Sequence, residues 1–302
     1  MTERTTERKT HLDPLAVSML VFCCFLWGLN QVAAKVAMPE VPALWQAAVR
    51  SLGGALLVWA WTLLRGIPIF TRDATWRGGL LAGALFGAEF LCIFIGLQYT
   101  TASRMVVFIY ISPFVVALGM PFIARNERLS RAQMVGLLIA FAGVAWAFEE
   151  GFAAPAAGPR QLFGDALGVM AGVLWGATTL AIRGTRLSSA SAEKTLLYQL
   201  AISGVILLAA ALISGARVPV SISALAWASI GFQVVIVTAF SYVLWFWLIG
   251  HYPATRLASF TLLTPVFGLI LGALLLGETI TTRLVIALVA VAAGIVLVNR
   301  RP

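Results

Sequence analysis

Leu26-Trp27-Gly28 and Leu174-Trp175-Gly176 are the same three residues met twice, 148 positions apart. Other pairs follow in the same order. Ala102-Ser103-Arg104 returns as Ala254-Thr255-Arg256, Ser112-Pro113 as Thr264-Pro265, Glu127 as Glu278 and Gly143 as Gly294. The offset stays between 148 and 152 residues throughout. Ordered matches at one offset are the mark of an internal duplication, and that duplication decides how the rest of the chain is read.

Between these markers the sequence is apolar. Ten stretches stand out, at 13–36, 42–64, 77–98, 103–124, 130–148, 163–183, 194–214, 220–250, 254–277 and 281–299. Nine are on the order of 20 residues, the length with which an α-helix crosses the hydrocarbon core of a bilayer; the eighth is longer than one span needs, an excess that tilting or a helical extension into the interface absorbs. They are too long and too uniformly apolar for barrel strands, and a spanning segment must satisfy its own backbone. Composition agrees: 61% of the 302 residues are hydrophobic and only 11% charged, with a mean hydropathy of +0.95, whereas a soluble domain carries about 25% charged residues. Five spans per copy is an odd number, so the second copy enters the membrane upside down. The expected fold is an all-α membrane protein of ten transmembrane helices in two inverted five-helix repeats, 13–150 and 163–299. A connecting loop spans 151–162, and a polar cytoplasmic segment covers 1–12. That segment and the run after it have the order of a signal peptide, but with nine further apolar stretches an uncleaved first span is expected.

Charge sets the orientation. With the N-terminus in the cytoplasm, fifteen Lys and Arg residues fall on the cytoplasmic side and five on the other, so both termini are expected inside. The repeated glutamates test this separately. Glu127 has Arg125, Arg128 and Arg131 around it, whereas Glu278 has Arg283 alone, as expected if the two copies of one motif face opposite sides. The net charge of +9 would suggest nucleic acid in a soluble protein. Here the basic residues are scattered over short loops, and no nucleic-acid partner is expected. Cys23, Cys24 and Cys92 lie in apolar segments and make neither a disulfide framework nor a metal site. No metalloprotease, P-loop or nucleophile-elbow motif occurs, so no catalytic residue, metal or cofactor is expected.

These residues resemble a known family. Two five-helix repeats, Leu-Trp-Gly opening each, and a proline, glutamate and glycine in series closing each look like the drug/metabolite transporter superfamily, in its EamA-type branch. The resemblance runs from about residue 15 to 298 and departs at Ala287, where the first copy has Gly136. Within that branch the chain is similar to the aromatic amino-acid exporters of the YddG type. The resemblance implies a multi-pass protein of the bacterial inner membrane that exports amino acids and related metabolites, with a small-molecule substrate and the lipid bilayer as its partners.

The residues themselves mark a candidate pathway. Arg50 and Glu89 are the two charges well inside apolar stretches, where each costs about 2.5–3.5 kcal/mol on insertion scales. Both fall at similar depth. They form a structural ion pair, or a site for a zwitterion or a titratable carboxylate, or one of them snorkels or faces water alone; the second copy has Gln199 and Ser241 roughly in their places. Trp27, Asn30 and Gln31 share one helical face of the first span, and Trp175, Thr178 and Thr179 repeat the pattern in the sixth. Thr238, Ser241, Tyr242 and Trp245 stripe the eighth. Such polar groups avoid lipid tails, so these faces are expected inside, either lining a cavity or bonding helix to helix. Pro113 and Pro265 lie near the middle of spans four and nine, where proline kinks a helix, and are the candidate hinges. Tyr110, Thr261 and Thr264 stand nearby to supply hydrogen bonds. Glu127 and Glu278 are read as caps.

Overall fold

The computed structural model describes residues 11–71, 73–99, 105, 108–124, 129–147, 160–217, 221–276 and 282–299. Every regular element among them is helical. The helices are α1 (Pro14–Ala37), α2 (Ala43–Leu64), α3 (Trp76–Gly96), α4 (Ser112–Ile123), α5 (Arg131–Ala147), α6 (Gln161–Gly184), α7 (Ala192–Ile213), α8 (Ala224–His251), α9 (Ala254–Phe260), α10 (Leu263–Leu276) and α11 (Thr282–Asn299). Among the described residues six helices, α1, α2, α3, α6, α7 and α8, contain stretches long and apolar enough to cross a bilayer. Shorter apolar segments lie in α4, α5 and α10. Glu127 and Glu278, read as caps, fall outside the described residues.

Local chemistry starts the helices. Asp13 accepts the Ala16 N–H at 2.9 Å, with Pro14 in the first turn, where its missing donor costs nothing. Ser191 caps α7 and Ser223 caps α8 in the same way. Two helices depart from the sequence reading. α8 is α-helical at both ends, but Phe232–Ser241 winds as a π-helix. The ninth stretch, read as one helix, is broken at Thr261–Leu262 into α9 and α10.

The two prolines correct the expectation of mid-helix kinks. Pro113 lies in the first turn of α4, just after turn residues Tyr110 and Ile111. Pro265 is the third residue of α10, just after the turn at Thr261–Leu262. A proline in a first turn clashes with nothing and removes no helix bond, so each marks the restart of an interrupted helix. Tight turns close the gaps: Ile111 N–H donates to Phe108 O at 3.2 Å, and Thr264 N–H to Thr261 O at 2.9 Å.

Packing joins early helices to late ones. α1 lies on α10 and α6 on α4; α3 contacts α6 and α7; α2 packs on α7 and on the π-helical part of α8; α5 pairs with α11. Small residues permit the close crossings, as they do between membrane helices generally. Gly79, Gly83 and Gly87 form a stripe on α3 against Tyr198, Ile202 and Ile206 of α7, too close for any added Cβ. At the α5–α11 crossing, a Cβ on Gly294 would lie 2.5 Å from the Gly136 carbonyl oxygen. Polar contacts tie the helix ends. Tyr252 donates to Asp13 at 2.9 Å and Lys194 pairs with Asp73 at 2.7 Å where α1 and α3 begin. Where α1 ends, Ser223 donates both its N–H (2.6 Å) and its hydroxyl (2.7 Å) to Glu40. The outward faces carry Trp59, Trp61, Trp76 and Trp227, all exposed, as expected of side chains at a lipid boundary.

Candidate functional site

The helices enclose a cavity of about 270 Å³ with walls from α1, α2, α3, α6, α7 and α8 and from the breaks before α4 and α10. Its volume is close to the lower end for small-molecule sites, which run from about 300 Å³ upward.

Arg50 reaches it from α2 and Glu89 from α3, both buried. Each is fixed by its helix face: Arg50 shares the buried face of α2 with Gln46, Ala47 and Gly54, and Glu89 that of α3 with Phe86 and Phe90. Arg50 donates from Nη2 to the Tyr242 hydroxyl at 2.6 Å, and its guanidinium carbon lies 4.4 Å from the centre of the Phe90 ring and 5.8 Å from that of Tyr242. Cation–π contacts of this kind contribute about 2 kcal/mol when desolvated. The expected alternative of an Arg50–Glu89 ion pair does not hold: among the described residues Lys194 pairs with Asp73, whereas Glu89 Oε2 is buried without a hydrogen-bond partner. The two opposite charges face one space without closing on each other.

Nine aromatic side chains stand in the wall. Trp27 meets Trp245 edge to face at 5.3 Å and Tyr242 at 6.2 Å; Phe86 meets Tyr242 at 6.2 Å; Trp175 stands on Tyr110 at 5.5 Å. Such pairs hold one another in place by about 0.5–1.5 kcal/mol beyond their burial, so the wall is pre-shaped. Polar groups punctuate it. Asn30, Thr178, Thr179 and Thr264 line the cavity with Gln199 and Gln233. Thr178 and Thr179 turn their hydroxyls back to the carbonyls of Leu174 and Trp175. Asn30 Oδ1 and Gln199 Oε1 are buried without a partner; such groups need a hydrogen bond that a ligand or water can supply.

Of the residues singled out in the sequence, Trp27, Asn30, Arg50, Glu89, Tyr110, Trp175, Thr178, Thr179, Tyr242, Trp245 and Thr264 all line this space. Ser241 does not. It is fully buried behind the wall, accepting from Trp27 Nε1 at 2.9 Å and donating to Val237 O at 2.6 Å. Its place is to orient Trp27. The Gln31 side chain is outside what the structure describes. Pro113 and Pro265 sit beside the cavity, each just past a break whose neighbours Tyr110 and Thr264 face it. The sequence reading missed Phe86, Phe90, Phe94 and Gln233. The phenylalanines recur every fourth residue around Glu89, and Gln233 is a lone amide in an apolar span, the same signal that marked Asn30.

Comparisons with known proteins converge. The model of the EamA-like transporter family matches residues 14–148 and 162–300. The chain is 28% identical over 289 residues to YvbV of Bacillus subtilis, named an uncharacterized transporter, covering 94% of this chain and 91% of that protein. It is 25% identical over 280 residues to a protein of Salmonella typhimurium named a probable amino-acid metabolite efflux pump, covering 89% of this chain and 90% of that one. A solved crystal structure, 18% identical, shares the fold over 94% of this chain and 96% of its own, with a TM-score of 0.77.

Proposed function

The chain belongs to the EamA-like transporter family, a family of carriers rather than enzymes, and from that premise we propose that it exports amino acids, aromatic ones foremost, and related small metabolites across the inner membrane by alternating access. The proposal includes ten transmembrane helices in two inverted repeats, 13–150 and 163–299, with both termini cytoplasmic. The packing supports it. Exchanging the first five spans for the second five turns the α1–α10 contact into α6–α4, and leaves α2–α7 and α5–α11 as self-exchanging pairs.

One observation carries the substrate class: Arg50 and Glu89 stand unpaired with each other in a single aromatic-walled cavity. A guanidinium suits a carboxylate, a carboxylate suits an ammonium, and edge-to-face rings suit an aromatic side chain. An aromatic amino acid satisfies all three at once. The Salmonella relative's name points to the same class of cargo. The paired breaks before Pro113 and Pro265 offer bending points beside the site, as interrupted helices do in other inverted-repeat carriers.

Counterflow into proteoliposomes tests the reading. With unlabelled amino acids inside, labelled tryptophan and phenylalanine should accumulate saturably, ahead of leucine and threonine. Accumulation of none of the four would sink the amino-acid reading. A second reading is a proton-coupled exporter of drugs or amines; the unpartnered Glu89 oxygen amid aromatic rings favours it, since such a cage suits a cation. It requires uptake of aromatic amines that lack a carboxylate, with loss of that uptake in Glu89→Gln.

A further inference from the structure

Opposite charges that share a desolvated space attract strongly, and Arg50 has a long, flexible stem. Something must hold it off Glu89. The guanidinium lies over Phe90, the residue next to Glu89, at 4.4 Å, yet its one hydrogen bond among the described residues runs to the Tyr242 hydroxyl at 2.6 Å. Tyr242 is itself braced, edge-on, by Phe86 and Trp27 at 6.2 Å each. Phe90 and Tyr242 stand 152 residues apart, the offset at which Pro113 returns as Pro265. Thus two residues at equivalent places in the two halves flank one cation that belongs to the first half alone. Gln199, in Arg50's place in the second half, bonds back to Thr195 O at 3.2 Å and needs no such clamp.

We propose that Tyr242 is a positioning residue that holds Arg50 away from Glu89, keeping both charges open to one ligand bearing an ammonium and a carboxylate. This rests on the zwitterion reading for its consequence in transport, but its mechanical part is independent of any substrate. Without the phenol oxygen Arg50 loses its acceptor and swings to Glu89. The ion pair then fills the site with its own countercharge, and recognition of both ends of the ligand falls together. Replacing Glu89 in that background removes the competing partner and returns Arg50 to the ligand's carboxylate.

The ligand-independent test is carbodiimide labelling of Glu89 in purified protein with dicyclohexylcarbodiimide, followed by peptide mass analysis. The reagent attacks a protonated carboxyl, so a carboxyl free to take up a proton reacts and one held ionised in an ion pair is protected. Wild type should label at Glu89, Tyr242→Phe should label at least fivefold more slowly, and Tyr242→Phe with Arg50→Gln should recover the wild-type rate. Equal rates in wild type and Tyr242→Phe, no recovery in the double variant, or an unreactive wild type would each overturn the proposal. The transport arm uses tryptophan and its amine-free analogue indole-3-propionate. Tyr242→Phe should weaken tryptophan binding about tenfold, and adding Glu89→Gln should bring indole-3-propionate binding above that of Tyr242→Phe alone. If the labelling pattern holds and wild type binds neither ligand, the clamp stands and the amino-acid reading falls.

Discussion

Arg50 and Gln199 come to the same cavity from corresponding helices of the two halves, yet one is a charge and the other an amide. Glu89 faces the cavity, while Ser241, its rough counterpart, is turned behind the wall to hold Trp27. Trp27 is bonded through its indole N–H, whereas Trp175 packs on Tyr110 with no such bond among the described residues. The helix pairings correspond, and the chemistry is divided. One half supplies the charges, and the other supplies the groups that orient them. A ligand with unlike ends needs unmatched side chains, and the difference between the halves supplies them.

The charges give the sharpest way to break this comparison. Arg50→Gln and Glu89→Gln should each lower amino-acid counterflow by tenfold to about 150-fold, since hydrogen bonds to charged groups contribute about 1.5–3 kcal/mol. Gln199→Ala and Ser241→Ala should stay nearer tenfold or less. Equal losses at all four positions would undo the division of labour. The tryptophans come next. Trp175→Ala should abolish the substrate-dependent rise in melting temperature, while Trp27→Phe should keep it and lose about 1 kcal/mol of stability with the bond to Ser241. Two glycines follow. Gly294→Val at the α5–α11 crossing should destabilise by about 1–3 kcal/mol, because its Cβ meets the Gly136 carbonyl oxygen at 2.5 Å and the Ala140 Cβ at 2.6 Å. Gly231→Ala, with nothing within 4 Å, should change thermal unfolding little or raise its midpoint.

The smallest effects belong to the ties at the two membrane faces. The Lys194 ammonium, with the Thr71 and Thr75 hydroxyls, holds the Asp73 carboxyl well below the usual carboxylate range. Glu40 is held down by the Ser223 N–H and hydroxyl. Each folded-state value lies below the unfolded one, so each tie stabilises the fold at neutral pH and loses that contribution as pH falls through the depressed value. Both carboxylates reach solvent, so the effects are modest. Asp73→Asn and Glu40→Gln should each lower the melting temperature slightly at neutral pH, and the gap to wild type should shrink in strong acid. A gap that widened in acid would contradict the assignment.

Much of this was legible in the chain. α2 was read at 42–64 and runs Ala43–Leu64; α5 was read at 130–148 and runs Arg131–Ala147. Length and hydropathy set such ends, and caps such as Asp13 sharpen them. Polar residues in apolar runs also showed themselves, because their cost in lipid is high. What stayed hidden was whatever leaves composition unchanged. Phe86, Phe90 and Phe94 line the cavity, but a phenylalanine facing lipid and one facing substrate read alike. Pro113 and Pro265 marked the right places, and only the backbone tells a kinked helix from an interrupted one. The contact that orients Trp27 links residues 214 apart in sequence, and no local pattern encodes it.

The π-helical stretch of α8 has a consequence for where the residues beyond it point. α3, its counterpart, is plain α-helix over Trp76–Gly96, while Phe232–Ser241 carries the wider winding. Such windings are rare and are found most often at functional sites. One inserted residue shifts the phase of everything beyond it by about 100°. Beyond it here come Tyr242 and Trp245. Deleting one residue from Phe232–Ser241 should therefore turn Tyr242 away from Arg50 and Trp245 away from Trp27, while the helix contacts before the stretch keep their register.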